Sequence, residues 1–169
     1  MIELRIGGAN EAPGIIASGW PTRAVTLLGK KDAHRVPCQG RHHLVLYFDD
    51  LEAHGDPRGV VPSPWHLQRV LAHTEHMRFG ERLFINCKAG KSRSTAFAIA
   101  VMIQHGETPQ EAFDHVLRVR DVMIPNRLLI GYVDDHFGLN GELNRIVADY
   151  YDRLQLPGVK LPDRGGWNL

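Results

Sequence analysis

The feature that most constrains this chain is the stretch from Arg82 to Gly106. Arg82 to Asn86 is a short apolar run that reads as a strand, and Thr95 to Ile103 reads as a helix that is apolar on every face and stops at Gly106. A helix without a polar face has to be enclosed by other layers, so it belongs at the centre of a domain, packed on a sheet and covered by further helices. The 169 residues are enough for one such domain with a single core.

The flanking segments agree with that arrangement. Short apolar runs at Ile2 to Ile6, Ile15 to Ala17, Ala24 to Leu28 and Leu44 to Phe48 read as strands, the last two ending in Gly29 and in the acidic pair Asp49 and Asp50. Ser63 and Pro64 open a helix whose stripe of Trp65, Leu67, Val70, Leu71 and Met77 continues to Gly80. Thr108, Pro109 and Glu111 form an N-terminal signature before the stripe Ala112, Phe113, Val116, Leu117 and Val119. Further helices are expected near Asn126 to Phe137 and Glu142 to Leu154. Strands first and mostly helices afterwards predict a single α/β domain over residues 1–155, with a central mixed or parallel sheet flanked by helices. Residues 156–169, with Pro157, Gly158, Pro162, Gly165 and Gly166, read as a C-terminal tail that wraps the surface or frays.

Composition narrows the function classes. With 43% apolar and 23% charged residues the chain reads as an ordinary globular protein, and a formal net charge of +1 gives no broad attraction to nucleic acid or to an anionic membrane. No run approaches the roughly 20 apolar residues of a membrane-spanning helix, and Met1 to Asn10 lacks the pattern of a signal peptide. The two cysteines, Cys38 and Cys87, lie in segments of different character, which argues against a disulfide framework and suits a reducing cytoplasm.

Between the predicted strand and the central helix lies Cys87-Lys88-Ala89-Gly90-Lys91-Ser92-Arg93-Ser94. A loop that turns from a buried strand into a helix N-terminus presents free backbone N–H groups and the positive end of the helix dipole, which together cradle a tetrahedral oxyanion. Gly90 allows close backbone approach, and Arg93 in the first helical turn can bind two phosphate oxygens with its planar fork. Cys87 at the floor of this cradle feels the N–H groups, the dipole and the guanidinium, all of which favour the thiolate, the nucleophilic form.

The spacing Cys87-x5-Arg93-Ser94 resembles the Cys-x5-Arg-Ser/Thr signature of the protein tyrosine phosphatase superfamily, and its dual-specificity branch most of all. The resemblance takes in roughly residues 14–137, including the acidic turn after Leu44 to Phe48 and the pair Pro125-Asn126. It implies a hydrolase of phosphomonoesters, on protein or other substrates, working through a phosphocysteine at Cys87 without metal or organic cofactor. It further implies that Arg93 and the backbone of Lys88, Ala89, Gly90, Lys91 and Ser92 hold the phosphoryl oxygens, and that Ser94 hydrogen-bonds the thiolate. The family usually has histidine before the cysteine, where this chain has Asn86, whose side chain does not ionise.

The superfamily also uses an aspartate after an upstream strand as general acid. Asp49, Asp50 and Asp56 all qualify: strand alignment favours the acidic pair and Asp50 in particular, whereas chain distance to the cysteine favours Asp56. Competing readings are a nucleotide-binding loop ending Gly90-Lys91-Ser92, which would need glycine where Ile85 stands, and a phosphate-binding module without catalysis. Lys88 and Lys91 beside the cradle would suit a substrate with extra negative charge, such as an inositol lipid phosphate, or are solvated loop residues. His42, His43, His73 and His76 read as solvated rather than as metal ligands, Arg118 and Arg120 as a polar helix face, and Trp65, Phe97 and Phe113 as core.

Overall fold

The computed structural model describes residues 1–29, Asp32, Gly40 and residues 42–154. Four strands, β1 (Glu3–Gly7), β2 (Arg23–Leu28), β3 (His43–Tyr47) and β4 (Arg82–Asn86), form one sheet in the order β1-β4-β2-β3. Every pairing is parallel, which selects the parallel form of the two predicted. The helices are α1 (Ala12–Ala17), α2 (Pro64–Thr74), α3 (Arg93–Gln104), α4 (Pro109–Val119), α5 (Arg127–Phe137) and α6 (Glu142–Arg153). No helix among the described residues is long and apolar enough to cross a membrane.

The central helix is the one the sequence marks. In α3 all residues from Arg93 to Met102 are buried, with Phe97, Ile99 and Val101 wholly so. Side chains of one sheet face, Leu4, Ile6, Val25, Leu27, Leu83 and Ile85, join α3 and the inner faces of the other long helices in one core. Truncating a residue such as Phe97 to alanine would cost about 3–5 kcal/mol. The opposite face has a smaller cluster, in which Ala12 and Ile16 of α1 pack on Ala24, Leu28 and Phe84.

Three local expectations need correction. Ile15 to Ala17 lies within α1 rather than in a strand, because Glu11 takes the Gly8 amide at 2.7 Å and Pro13 favours a helical start. Three apolar residues carry no readable period. α2 ends at Thr74 instead of running to Gly80; Thr74 Oγ1 bonds back to the carbonyls of Val70 and Leu71, and a turn from Thr74 O to Met77 N returns Met77 to the core. Trp65 is 55% exposed, with Arg69 stacked above its ring, because its neighbour His66 occupies the inward position against Phe48 at a ring separation of 4.5 Å. Phe97 and Phe113 are core as expected.

Of the histidines read as solvated, His42 and His76 are exposed, His73 is half-buried and His43 departs from that reading. His43, His66 and His115 are buried, and His115 pairs with Glu107 at 2.8 Å. His76 lies beyond the end of α2, so it does not share a helix with His73. No group of three or more potential metal ligands occurs among the described residues. Cys38 and the tail 156–169 lie outside the described residues.

Candidate active site

The loop between β4 and α3 sits at the carboxyl end of the parallel strands, the side on which open α/β sheets bind ligands. Cys87 is 1% exposed at its start. Its Sγ lies 3.2 Å from Ser94 Oγ and accepts the Gly90 amide at 3.2 Å. Burial alone would push the thiol pKa up, but the hydroxyl and amide of Ser94, the Arg93 charge and the Ser92 amide outweigh it and hold the value below that of an ordinary thiol.

Gly90 is fixed by its surroundings. Its φ is +70°, and a Cβ there would stand 2.5 Å from the Gly7 carbonyl carbon. The turn after β1 thus forms a wall of the loop, tied to it by the Ala9 amide donating to Lys88 O at 3.0 Å. Arg120, expected on an ordinary polar face, reaches over from the end of α4 to donate to Ala89 O at 3.3 Å, with Glu11 3.9 Å from it. Lys88 and Lys91 are exposed on the rim, while Gly90 and Arg93 are buried.

Arg93 is 3% exposed. Its Nη1 donates to the backbone carbonyl of Phe48, just past β3, and its guanidinium lies 5.7 Å from the Phe48 ring centre. The buried Nε has no hydrogen-bond partner among the described residues. One edge of the fork is therefore anchored and a donor beside the cradle is left for an oxyanion.

The three candidate aspartates separate cleanly. Asp50 Oδ1 accepts from Ser92 Oγ at 2.7 Å and from Asn126 Nδ2 at 2.8 Å, and Oδ2 lies 3.9 Å from Arg93 Nε. Asp49 points the other way, taking the Val60 amide at 2.9 Å and closing its own loop. Asp56 is paired with the exposed Arg58, whose side-chain and backbone hydrogen bonds hold its carboxyl at about 2. Only Asp50 meets the cradle.

Asn86 is wholly buried on the strand face away from α3. Its Oδ1 accepts from Thr26 Oγ1 at 2.7 Å, and His43 Nε2 lies 2.7 Å from the same hydroxyl. With Thr26 donating to Asn86, the bond from His43 runs Nε2–H to Oγ1. An ionisable ring is thus present two strands away from the position before the cysteine. Sequence reasoning missed this, as it missed the contacts of Phe48, Arg120 and Glu11 at the site; it singled out the pair Pro125-Asn126 but not the bond from Asn126 to Asp50. Asn126 alone had a signal, its place beside Pro125 ahead of a helix.

The chain has the fold seen in solved dual-specificity and related tyrosine phosphatases. Among solved structures it is similar to human DUSP28, at 23% identity over 86% of this chain and 94% of that one, with a TM-score of 0.61. A human tyrosine phosphatase-like serine/threonine/tyrosine-interacting protein matches at 20% identity over 81% and 92%, with a TM-score of 0.58. PTPMT1 in complex with PI(5)P matches at 15% identity over 88% and 94%, with a TM-score of 0.56. No protein-family model and no curated protein matches the sequence.

Proposed function

We propose that the protein is a cysteine-dependent phosphatase that hydrolyses phosphomonoesters through a phosphocysteine. The observation that carries this reading is the convergence of the Gly90 amide and the Ser94 hydroxyl on Cys87 Sγ beside the buried guanidinium of Arg93. In the first step the thiolate attacks phosphorus, the ester P–O bond breaks, and the leaving oxygen takes a proton from Asp50. In the second a water molecule gives a proton back to the Asp50 carboxylate and attacks the phosphocysteine, releasing inorganic phosphate and the thiolate. Arg93 and the loop amides carry the charge on the phosphoryl oxygens throughout, and Ser94 stabilises the departing thiolate.

The test is hydrolysis of nitrophenyl phosphate in the presence of a chelator. Turnover that resists the chelator, is blocked by vanadate and is lost in Cys87→Ser supports the mechanism. Turnover surviving in Cys87→Ser refutes it, and phosphate binding with no turnover points to a binding module.

A second reading concerns the substrate. Lys88 and Lys91 are exposed on the cradle rim, where two cations favour a substrate bearing further negative charge. The likeness to PTPMT1 in complex with PI(5)P supports an inositol lipid phosphate for the same site. Replacing both lysines by alanine then weakens hydrolysis of phosphoinositides in vesicles far more than that of nitrophenyl phosphate. An equal loss on both substrates removes this reading.

A further inference from the structure

The loop that carries Asp50 is fastened to α5 at several points. Asn126, wholly buried at the N-cap of α5, accepts the Leu129 amide at 3.0 Å with its Oδ1. Its Nδ2 faces the other way and donates to Asp50 Oδ1 at 2.8 Å and to the Leu51 carbonyl at 3.1 Å. Next to it Arg127 gives Glu52 its backbone amide at 2.8 Å and its Nε at 2.9 Å. Further along α5, Tyr132 Oη lies 3.4 Å from both His54 Nδ1 and Pro62 O. The acidic loop therefore rests on a helix whose own start is defined by the side chain that grips the carboxylate.

The two oxygens of Asp50 are not equivalent. Oδ1 receives two hydrogen bonds, from Asn126 Nδ2 and Ser92 Oγ, and an oxygen occupied by two donors is the poorer place for a proton. Oδ2 is the oxygen near Arg93 Nε, at 3.9 Å, and so near the place an oxyanion would take.

We infer that Asn126 is the positioning residue for the general acid: its amide turns Asp50 so that Oδ1 is held as an acceptor and Oδ2 carries the proton toward the leaving group. This rests on the phosphatase reading of Cys87 and on Asp50 as its acid. Asn126 touches no substrate; it acts through Asp50, and its cap ties the orientation of the carboxyl to the placement of α5.

Leaving-group dependence tests it, because a good leaving group departs without a proton and a poor one does not. Asn126→Ser keeps a capping oxygen for the Leu129 amide but is too short to reach Asp50. Phenyl phosphate and nitrophenyl phosphate are compared for the wild type, Asn126→Ser, Asp50→Asn and the double variant. Asn126→Ser is expected to slow phenyl phosphate at least about tenfold more than nitrophenyl phosphate, a tenth or less of what a general acid contributes. In the Asp50→Asn background the same change adds at most about twofold on either substrate, since its partner is already disabled.

If Asn126→Ser slows both substrates alike, or its effect persists in full beside Asp50→Asn, the inference is overturned. If Asp50→Asn itself shows no leaving-group dependence, Asp50 is not the acid and the inference fails with that assignment. Asn126→Asp supplies a readout should the serine variant fold poorly. It keeps the cap but sets a second carboxylate against Asp50, which moves the basic limb of the kcat/KM profile to higher pH. An unmoved limb counts against the inference.

Discussion

The Nη1 of Arg93 donates to the backbone carbonyl of Phe48, so the first turn of α3 is tied to the end of β3 by the same side chain that faces the cradle. This gives the guanidinium two tasks that a single ammonium cannot share. Arg93→Lys is therefore expected to lower kcat nearly as far as Arg93→Ala, on the order of a hundredfold or more, the usual cost of removing an oxyanion donor. Steady-state kinetics on nitrophenyl phosphate check it, and a lysine variant with near-normal kcat contradicts it.

Ser94→Ala removes a hydroxyl 3.2 Å from Cys87 Sγ. A hydrogen bond to a charged group is worth about 1.5–3 kcal/mol, which corresponds to roughly 1–2 pH units. The pH midpoint of iodoacetamide alkylation should lie below that of a free thiol in the wild type and rise by about that amount in the variant. A midpoint that does not move would show that the hydroxyl does not hold the thiolate.

Gly90→Ala meets two obstacles at once, a φ of +70° and a wall of backbone 2.5 Å from the new Cβ. Either the loop or the turn after β1 has to shift, and a displacement of about 1 Å in a reacting group can cost on the order of a hundredfold. The expected outcome is a loss of that size in kcat/KM with α3 still formed, measured by kinetics alongside far-UV circular dichroism. Full activity would mean that the loop tolerates a side chain at this position.

Acid should weaken the fold through histidines rather than carboxylates alone. Burial lowers the pKa of His43, His66 and His73, in His43 with help from His73 and in His73 with help from Arg23. Below about pH 6.5 the unfolded chain binds these protons and the folded chain does not, so stability falls as pH drops through that window. Tm is expected to decline from pH 7 to pH 5. His66→Gln, which retains a side chain able to accept the Ser63 amide, should make the decline shallower. An unchanged slope would remove His66 from this account.

What the sequence made legible was whatever is contiguous. The cradle lies within eight successive residues, so its candidate residues could be picked out from order alone, and the unbroken apolar character of α3 announced its burial. That Asp50, of the three candidate aspartates, is the one beside the cradle was not legible, because its contact with Ser92 spans 42 positions and that with Asn126 spans 76. Nothing local encodes such a pairing. The exposed Trp65 and buried His66 fail for a related reason: on the first turn of α2 the stripe can be entered one residue out of phase, and the Phe48 ring selects which neighbour turns inward. The His43, Thr26 and Asn86 chain crosses three strands, and its alignment follows from strand register, which is not written in any one of them.

The wall that the Gly7 turn supplies to the Gly90 loop also orders events in time. β1 is first in the chain yet pairs with β4, so the contact between Gly7 and Gly90 closes a span of more than eighty residues. During synthesis the opening strand waits without its partner until β4 has emerged, and closing so long a span is entropically slow. The cradle reaches its working shape only when the two ends of that span meet. Under the proposed function, phosphate affinity is then a marker for completed folding: a chain with α3 and its neighbours assembled but β1 undocked would bury most of its core and still lack the finished cradle.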